Sequence, residues 1–175
     1  DFKGGTDFSS FIAYSSQAIE FEVYQKIFNA FHDYIDKNYS IEEKRDLVYY
    51  DEKLIKNDYV KENLGRINSG FHRVIKKSSS KKTYTLGSMS RIIDYLPHGD
   101  KKPGIEFRTL KSLQLLQKFI NENIGQIDKV FLKNLQEYVD IRNDAAHPGV
   151  ISFKESEIYW KKFKNIVDTF LNNFK

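Results

Sequence analysis

With 175 residues, 14 Phe, 11 Tyr and 40% hydrophobic residues, the chain can bury one sizeable core, which excludes a disordered chain. It has no cysteine, so a disulfide scaffold, a thiolate metal site and a Cys nucleophile are excluded, and a reducing, cytoplasmic setting is expected. The net charge of +4 admits an anionic partner without naming one.

Only three prolines, at 97, 103 and 148, interrupt the chain, and strand-like alternation is scarce. Residues 7–37 read as one long helix, with Phe11, Ala18, Ile27, Phe28, Phe31 and Ile35 at helical spacing. Ser40-Ile41-Glu42-Glu43 has the form of a capping box and opens a second helix, expected to run to about Asn57. A further helical segment continues to about Lys76, its middle made uncertain by Gly65 and Gly70. After a Ser/Lys linker, Thr85 caps a short helix over 86–96 that Pro97 stops. The loop from Pro97 to Gly104 separates the two halves. A helix over 106–122 then points Leu110, Leu113, Leu116 and Ile120 inward. Another runs from about Asp128 to Ala146. A second capping box, Ser152 to Glu155, starts the last helix, with Phe163, Ile166, Val167, Phe170, Leu171 and Phe174 as its stripe. The expected architecture is all-α, an up-and-down bundle of about five to six helices. It forms a single domain over 1–175, and the start at Asp1 rather than Met suggests a piece of a longer protein. No apolar run approaches the roughly 18 residues of a membrane span and no signal-like segment opens the chain, so neither membrane nor secretion is expected.

The stretch Arg142-Asn143-Asp144-Ala145-Ala146-His147, followed by Pro148-Gly149, stands out. Measured around the helix from Phe131, Ile127 lies at about −40°, Leu135 at about +40°, Tyr138 at about −20° and Val139 at about +80°. Arg142 falls at about +20°, near the centre of that apolar stripe. Lys133, Gln136, Glu137, Asp140 and Asp144 hold the opposite face. A guanidinium on an inner face has to be paired, or to open onto a cleft or subunit interface. Proline pushes the residue before it out of the α region, so the helix should end at His147 and free its imidazole to swing. Asn143, four residues earlier and about 40° away, is placed to orient that ring. The plain alternative is an arginine held by one carboxylate and a histidine that ends a helix.

At these residues the chain resembles the HEPN superfamily, the helical nuclease domains of toxin–antitoxin, abortive-infection and CRISPR-associated systems. Their signature is an arginine, a polar residue, a few further positions and a histidine near a helix end, which Arg142, Asn143 and His147 match. The resemblance rests on this short motif and on the all-helical context. It implies a cytoplasmic, metal-independent endoribonuclease without a cofactor. It further implies RNA as substrate, a homodimer whose two motifs meet across the twofold axis, and an antitoxin or larger defence protein as partner. His147 would move protons at neutral pH while the ribose 2′-hydroxyl attacks the adjacent phosphate. Arg142 would stabilise the charge that develops there. A bundle of the same kind that binds RNA or a nucleotide, or dimerises, without turnover is the rival reading.

Further candidates support this site. Measured from Glu20, Ala13 and Phe31 lie at about +20° and Ile27 at about −20°, so Glu20 also sits on an apolar stripe. It would then pair with Arg142, in line with the polar residue that HEPN-like domains often carry on an earlier helix. Alternatively, Ile12, Ile19 and Val23 define the inner face and leave Glu20 at a wet edge. Lys76, Lys77, Lys81, Lys82, Lys101 and Lys102 could hold an RNA backbone, or could equally form solvated linkers. His32, His72 and His98 show no ligand spacing, so no metal site is expected.

Overall fold

A computed structural model describes residues 8–75, 84–97, 102–125, 127, 129–145 and 151–173. It is all-helical. In chain order, α1 (Ser9–Val23) passes through a π-helical segment (Tyr24–Asn29) into α2 (Ala30–Asn38), followed by α3 (Ile41–Leu47), a 3-10 turn (Glu52–Leu54) and α4 (Asp58–Ile75). The second half holds α5 (Leu86–Asp94), α6 (Ile105–Thr109), α7 (Lys111–Asn123), α8 (Lys129–Ala145) and α9 (Phe153–Asn173). No strand occurs among the described residues.

The long rod expected over 7–37 is present as an unbroken run from Ser9 to Asn38. Its inner face differs at the start. Ile12, Ser15, Ser16, Ile19 and Val23 are buried before the π segment, whereas Ala18 is exposed and Phe11 only half-buried. On a straight α-helix Ile19 and Phe28, nine residues apart, would face about 180° away from each other. The wider i→i+5 turn over Tyr24–Asn29 takes up part of that offset and lets both enter the core.

Three caps act as their sequences dictate. Ser40 and Glu43 exchange side-chain-to-backbone hydrogen bonds, at 2.7 Å (Ser40 N to Glu43) and 3.2 Å (Glu43 N to Ser40). Ser152 and Glu155 do the same at 2.8 and 3.3 Å, and Thr85 accepts from the Ser88 N–H at 3.3 Å. The helix expected to continue from Ser40 to about Asn57 instead stops at Leu47, where Val48, Tyr49 and Tyr50 follow. Asp51 then accepts from the Lys53 N–H at 3.0 Å and opens the separate 3-10 turn. The helix expected over 106–122 is broken at Leu110, whose backbone is extended. Leu110 is fully buried, and the Gln114 amide donates to the carbonyls of Phe107 and Arg108 at 3.1 and 3.0 Å, so the freed end of α6 is satisfied. With α1 and α2 taken as one rod, these breaks make eight helices among the described residues rather than five or six.

One core runs through the molecule, built on Phe28, Phe31, Phe71, Phe131, Leu135 and Tyr138, all fully buried. α8 packs against α1, α5 and α9 together. Being covered on three sides, it buries Leu132, Asn134 and Ile141 beyond the predicted stripe of Phe131, Leu135, Tyr138 and Val139. The Tyr138 hydroxyl reaches across to Ser15 on α1, and burial pushes the phenol above its ordinary range. Lys162 on α9 meets Glu137 on α8 at 2.7 Å. No helix among the described residues is long and apolar enough to cross a membrane.

Candidate functional site

Of the stretch that stood out in the sequence, Arg142 to Ala145 form the C-terminal end of α8, and Arg142 and Asn143 lie across a cleft from the first turn of α5. Gly87 faces Val139 where the two helices cross. A Cβ placed there would already be in van der Waals contact with Val139, at 3.6 Å, so a larger side chain would hold the helices apart. Val139 lies one turn before Arg142, and the close crossing therefore brings the start of α5 next to Arg142 and Asn143.

Between the two helices opens a cleft of about 580 Å³. Arg142, Asn143, Asp140 and Gln136 line it from α8, and Thr85, Ser88, Arg91 and Asp94 from α5 and its cap. Arg142 is half-buried and Asn143 exposed. Arg142 makes no ion pair with any described residue, so of the two ways to accommodate an inward guanidinium the chain uses the opening onto a cleft. Its position in the last turn of α8 also sets a cation at the negative end of the helix dipole.

The polar groups of the cleft are not all available to a ligand. Ser88 donates to the Thr85 carbonyl at 2.8 Å and accepts from the Thr85 N–H at 2.9 Å, so both hydroxyls are committed to capping α5. Gln136 accepts from Ser90 at 3.2 Å and donates to Asp140 at 3.3 Å, which ties α5 to α8 and fixes that wall. The donors left for an anion are the guanidiniums of Arg91 and Arg142 and the amide of Asn143. Against them stand Asp94 and Asp140, so the charged lining is balanced rather than positive.

Glu20 has a different partner from the one expected. Its carboxylate accepts from the Leu86 N–H at 2.7 Å, one of the otherwise unsatisfied donors at the start of α5. No ion pair joins it to Arg142 among the described residues. Ile12, Ile19 and Val23 are the buried face of α1, and Glu20 is half-buried at its edge, as the alternative reading required. The carboxylate is drawn there by the positive end of the α5 dipole. It is a fixed point that holds α5 in register with α1.

His147 lies outside the described residues, as do Lys76, Lys77, Lys81, Lys82 and Lys101. Asp144 belongs to α8, with its side chain outside the described set. Lys102 is exposed, just before α6. His32 is half-buried on α2 and contacts the ring of Tyr84, with 6.5 Å between centroids. Among the described residues no group of three or more His, Asp or Glu is placed to hold a metal ion. The residue that sequence reasoning passed over is Arg91. It lies at the centre of the polar face of α5, about 60° from both Ser88 and Asp94, and an exposed arginine on an amphipathic helix gives no signal of its own.

No family model matches the chain, and no curated protein and no solved structure matches it.

Proposed function

We propose that the chain is a HEPN-type endoribonuclease of a prokaryotic defence or toxin system, cleaving RNA by attack of the ribose 2′-hydroxyl on the adjacent phosphate. The observation that supports this best is a half-buried Arg142 with no ion-pair partner among the described residues, lining a cleft beside Asn143. In water an unpaired arginine is ordinary. On the buried-side stripe of a core helix it is costly unless a ligand or solvent completes it.

Arg142, with Arg91 across the cleft, would clamp a non-bridging phosphate oxygen and stabilise the additional charge of the transition state. His147, five residues along the chain, would take or give the proton. Neither role calls on a metal ion. In-line displacement needs a base on one side of the phosphorus and an acid on the other. A homodimer that joins two motifs supplies both, and an antitoxin-like partner would act by covering that junction.

One observation favours a second reading, a module that binds a nucleotide or RNA without turnover. The balanced charge of the cleft is better suited to holding one phosphate than to drawing in a long polyanion. Both readings are separated by incubating the protein with RNA in EDTA, comparing wild type with His147→Ala and measuring oligomeric state alongside. Cleavage by a dimeric wild type that the variant loses supports the nuclease. RNA binding by both without cleavage supports the module.

A further inference from the structure

A second cleft, of about 390 Å³, lies on the other flank of α5, where α4 and α6 meet it. Arg91 and Asp94 line both clefts, so the two adjoin across the exposed edge of α5. The second differs in chemistry. Its charged lining is Glu62, Asp94 and Glu106 against Arg66 and Arg91, which disfavours a phosphate. It also holds two aromatic rings, Tyr59 from α4, 71% exposed, and Tyr95 at the end of α5, half-buried.

Tyr59, Arg91, Asp94, Tyr95 and Glu106 line this one cleft together, and burial raises the pKa of the Tyr95 phenol. Glu62 and Arg66 satisfy each other at 2.5 Å. Glu106 makes no ion pair with a described residue, and neither does Arg91. Outside the Glu62–Arg66 pair the cleft therefore offers ring faces, the carboxylates of Glu106 and Asp94, the Arg91 guanidinium and the Asn63 amide.

Within that set, the rings with Glu106 and Arg91 suit one nucleobase best. Unpaired bases in RNA are held by stacking on aromatic side chains and by hydrogen bonds to their Watson–Crick edges. Guanine alone presents two adjacent N–H donors there, N1–H and the N2 amino group, which one carboxylate accepts together. Its O6 and N7 are acceptors for an arginine. Adenine and cytosine set a single amino group beside a ring acceptor, and uracil sets one N–H between two carbonyls.

We propose that the α4/α5/α6 cleft is a guanine-binding subsite, with Glu106 accepting from N1–H and N2–H, Arg91 donating to O6, and Tyr59 and Tyr95 supplying the stacking surface. Resting on the reading of the α5/α8 cleft as a phosphate site, it makes the nuclease selective for RNA with a guanine beside the cleaved linkage. Arg91, shared by both clefts, positions the base relative to the phosphate.

The test is titration of the full chain with guanosine, adenosine, cytidine and uridine, followed by NMR shifts of the protein amides. Guanosine should bind at least about tenfold more tightly than the other three, and shifts should centre on Tyr59, Tyr95 and Glu106. Glu106→Gln should remove that preference, because an amide sets a donor NH2 where the carboxylate has its second acceptor oxygen, opposite one of the two N–H groups. Tyr59→Ala, at an exposed position that leaves the fold intact, should weaken all four nucleosides alike. Equal binding of the four, no guanosine binding, or a preference that survives Glu106→Gln would overturn the proposal. Guanosine carries no phosphate, so this outcome is independent of cleavage. A wild type that binds guanosine but leaves RNA intact would strike the nuclease reading alone.

Discussion

Glu20 and Arg142 make opposite predictions, which follow from their different partners. Glu20→Ala removes the acceptor of the Leu86 N–H, at 2.7 Å, while Leu86 itself is fully buried. A hydrogen bond to a charged group is worth about 1.5–3 kcal/mol. Because Glu20 is only half-buried, solvent reduces that to about 1–2 kcal/mol, including its interaction with the α5 dipole. For a chain of this size each kcal/mol moves Tm by about 2–4 °C, so a fall of about 2–8 °C is expected. Glu20→Gln keeps a neutral acceptor and should lose about half as much. Arg142→Ala breaks no ion pair with a described residue and should stay within about 0.5 kcal/mol of wild type. Urea unfolding of the two single variants and the double, followed by circular dichroism, measures all of this. The double should equal the sum of the singles within about 0.3–0.5 kcal/mol. A buried Glu20–Arg142 pair would behave otherwise, with each single variant costing about 3–5 kcal/mol and the double costing little more. That pattern would refute the assignment of Glu20 to α5.

Glu137 is held below the ordinary glutamate range, first by its hydrogen bond to Lys162 and then by the charges of Lys162 and Lys133. A depressed folded-state pKa contributes stability above the unfolded value of about 4.3 and loses it as pH falls through the folded one. Lys162→Met should therefore cost about 0.5–1 kcal/mol at pH 7 and nothing once both states are protonated; an unchanged cost in acid would contradict the pairing. Gly87→Ala should be tolerated and gain up to about 1 kcal/mol of helix propensity, since its Cβ meets Val139 at ordinary contact distance. Gly87→Leu should separate α5 from α8 and lower both stability and any phosphate binding; a neutral Gly87→Leu would show that the crossing is not as close as described.

Much of the fold was legible in local chemistry. The capping residues Ser40, Thr85 and Ser152 set their helix starts without reference to the rest of the chain, and the stripe through Phe131, Leu135 and Tyr138 gave the inner face of α8. The break at Leu110 was hidden because no Gly or Pro marks it; a buried leucine and the side chain of Gln114 stabilise it from outside the local pattern. The π segment was hidden for a similar reason, since residues on both sides of it keep helical spacing. At the candidate site, angle placed Arg142 on the inner stripe of α8, where the structure has it half-buried on a cleft. Angle could not say which helix arrives opposite Glu20, because that depends on how α5 packs against α1 and α8. Arg91 became visible only once α4, α5 and α8 were in place around it.

In the proposed reaction Arg142 and His147 cleave RNA without a metal ion. The most direct measurement is the cleavage rate of a single-stranded RNA in EDTA by wild type and by His147→Ala, with the melting curves of both recorded. Proton transfer contributes about 10²–10⁴-fold, so wild type should cleave in EDTA and His147→Ala should lose that much while melting with wild type. Cleavage that EDTA abolishes, or a rate that His147→Ala leaves unchanged, would contradict it.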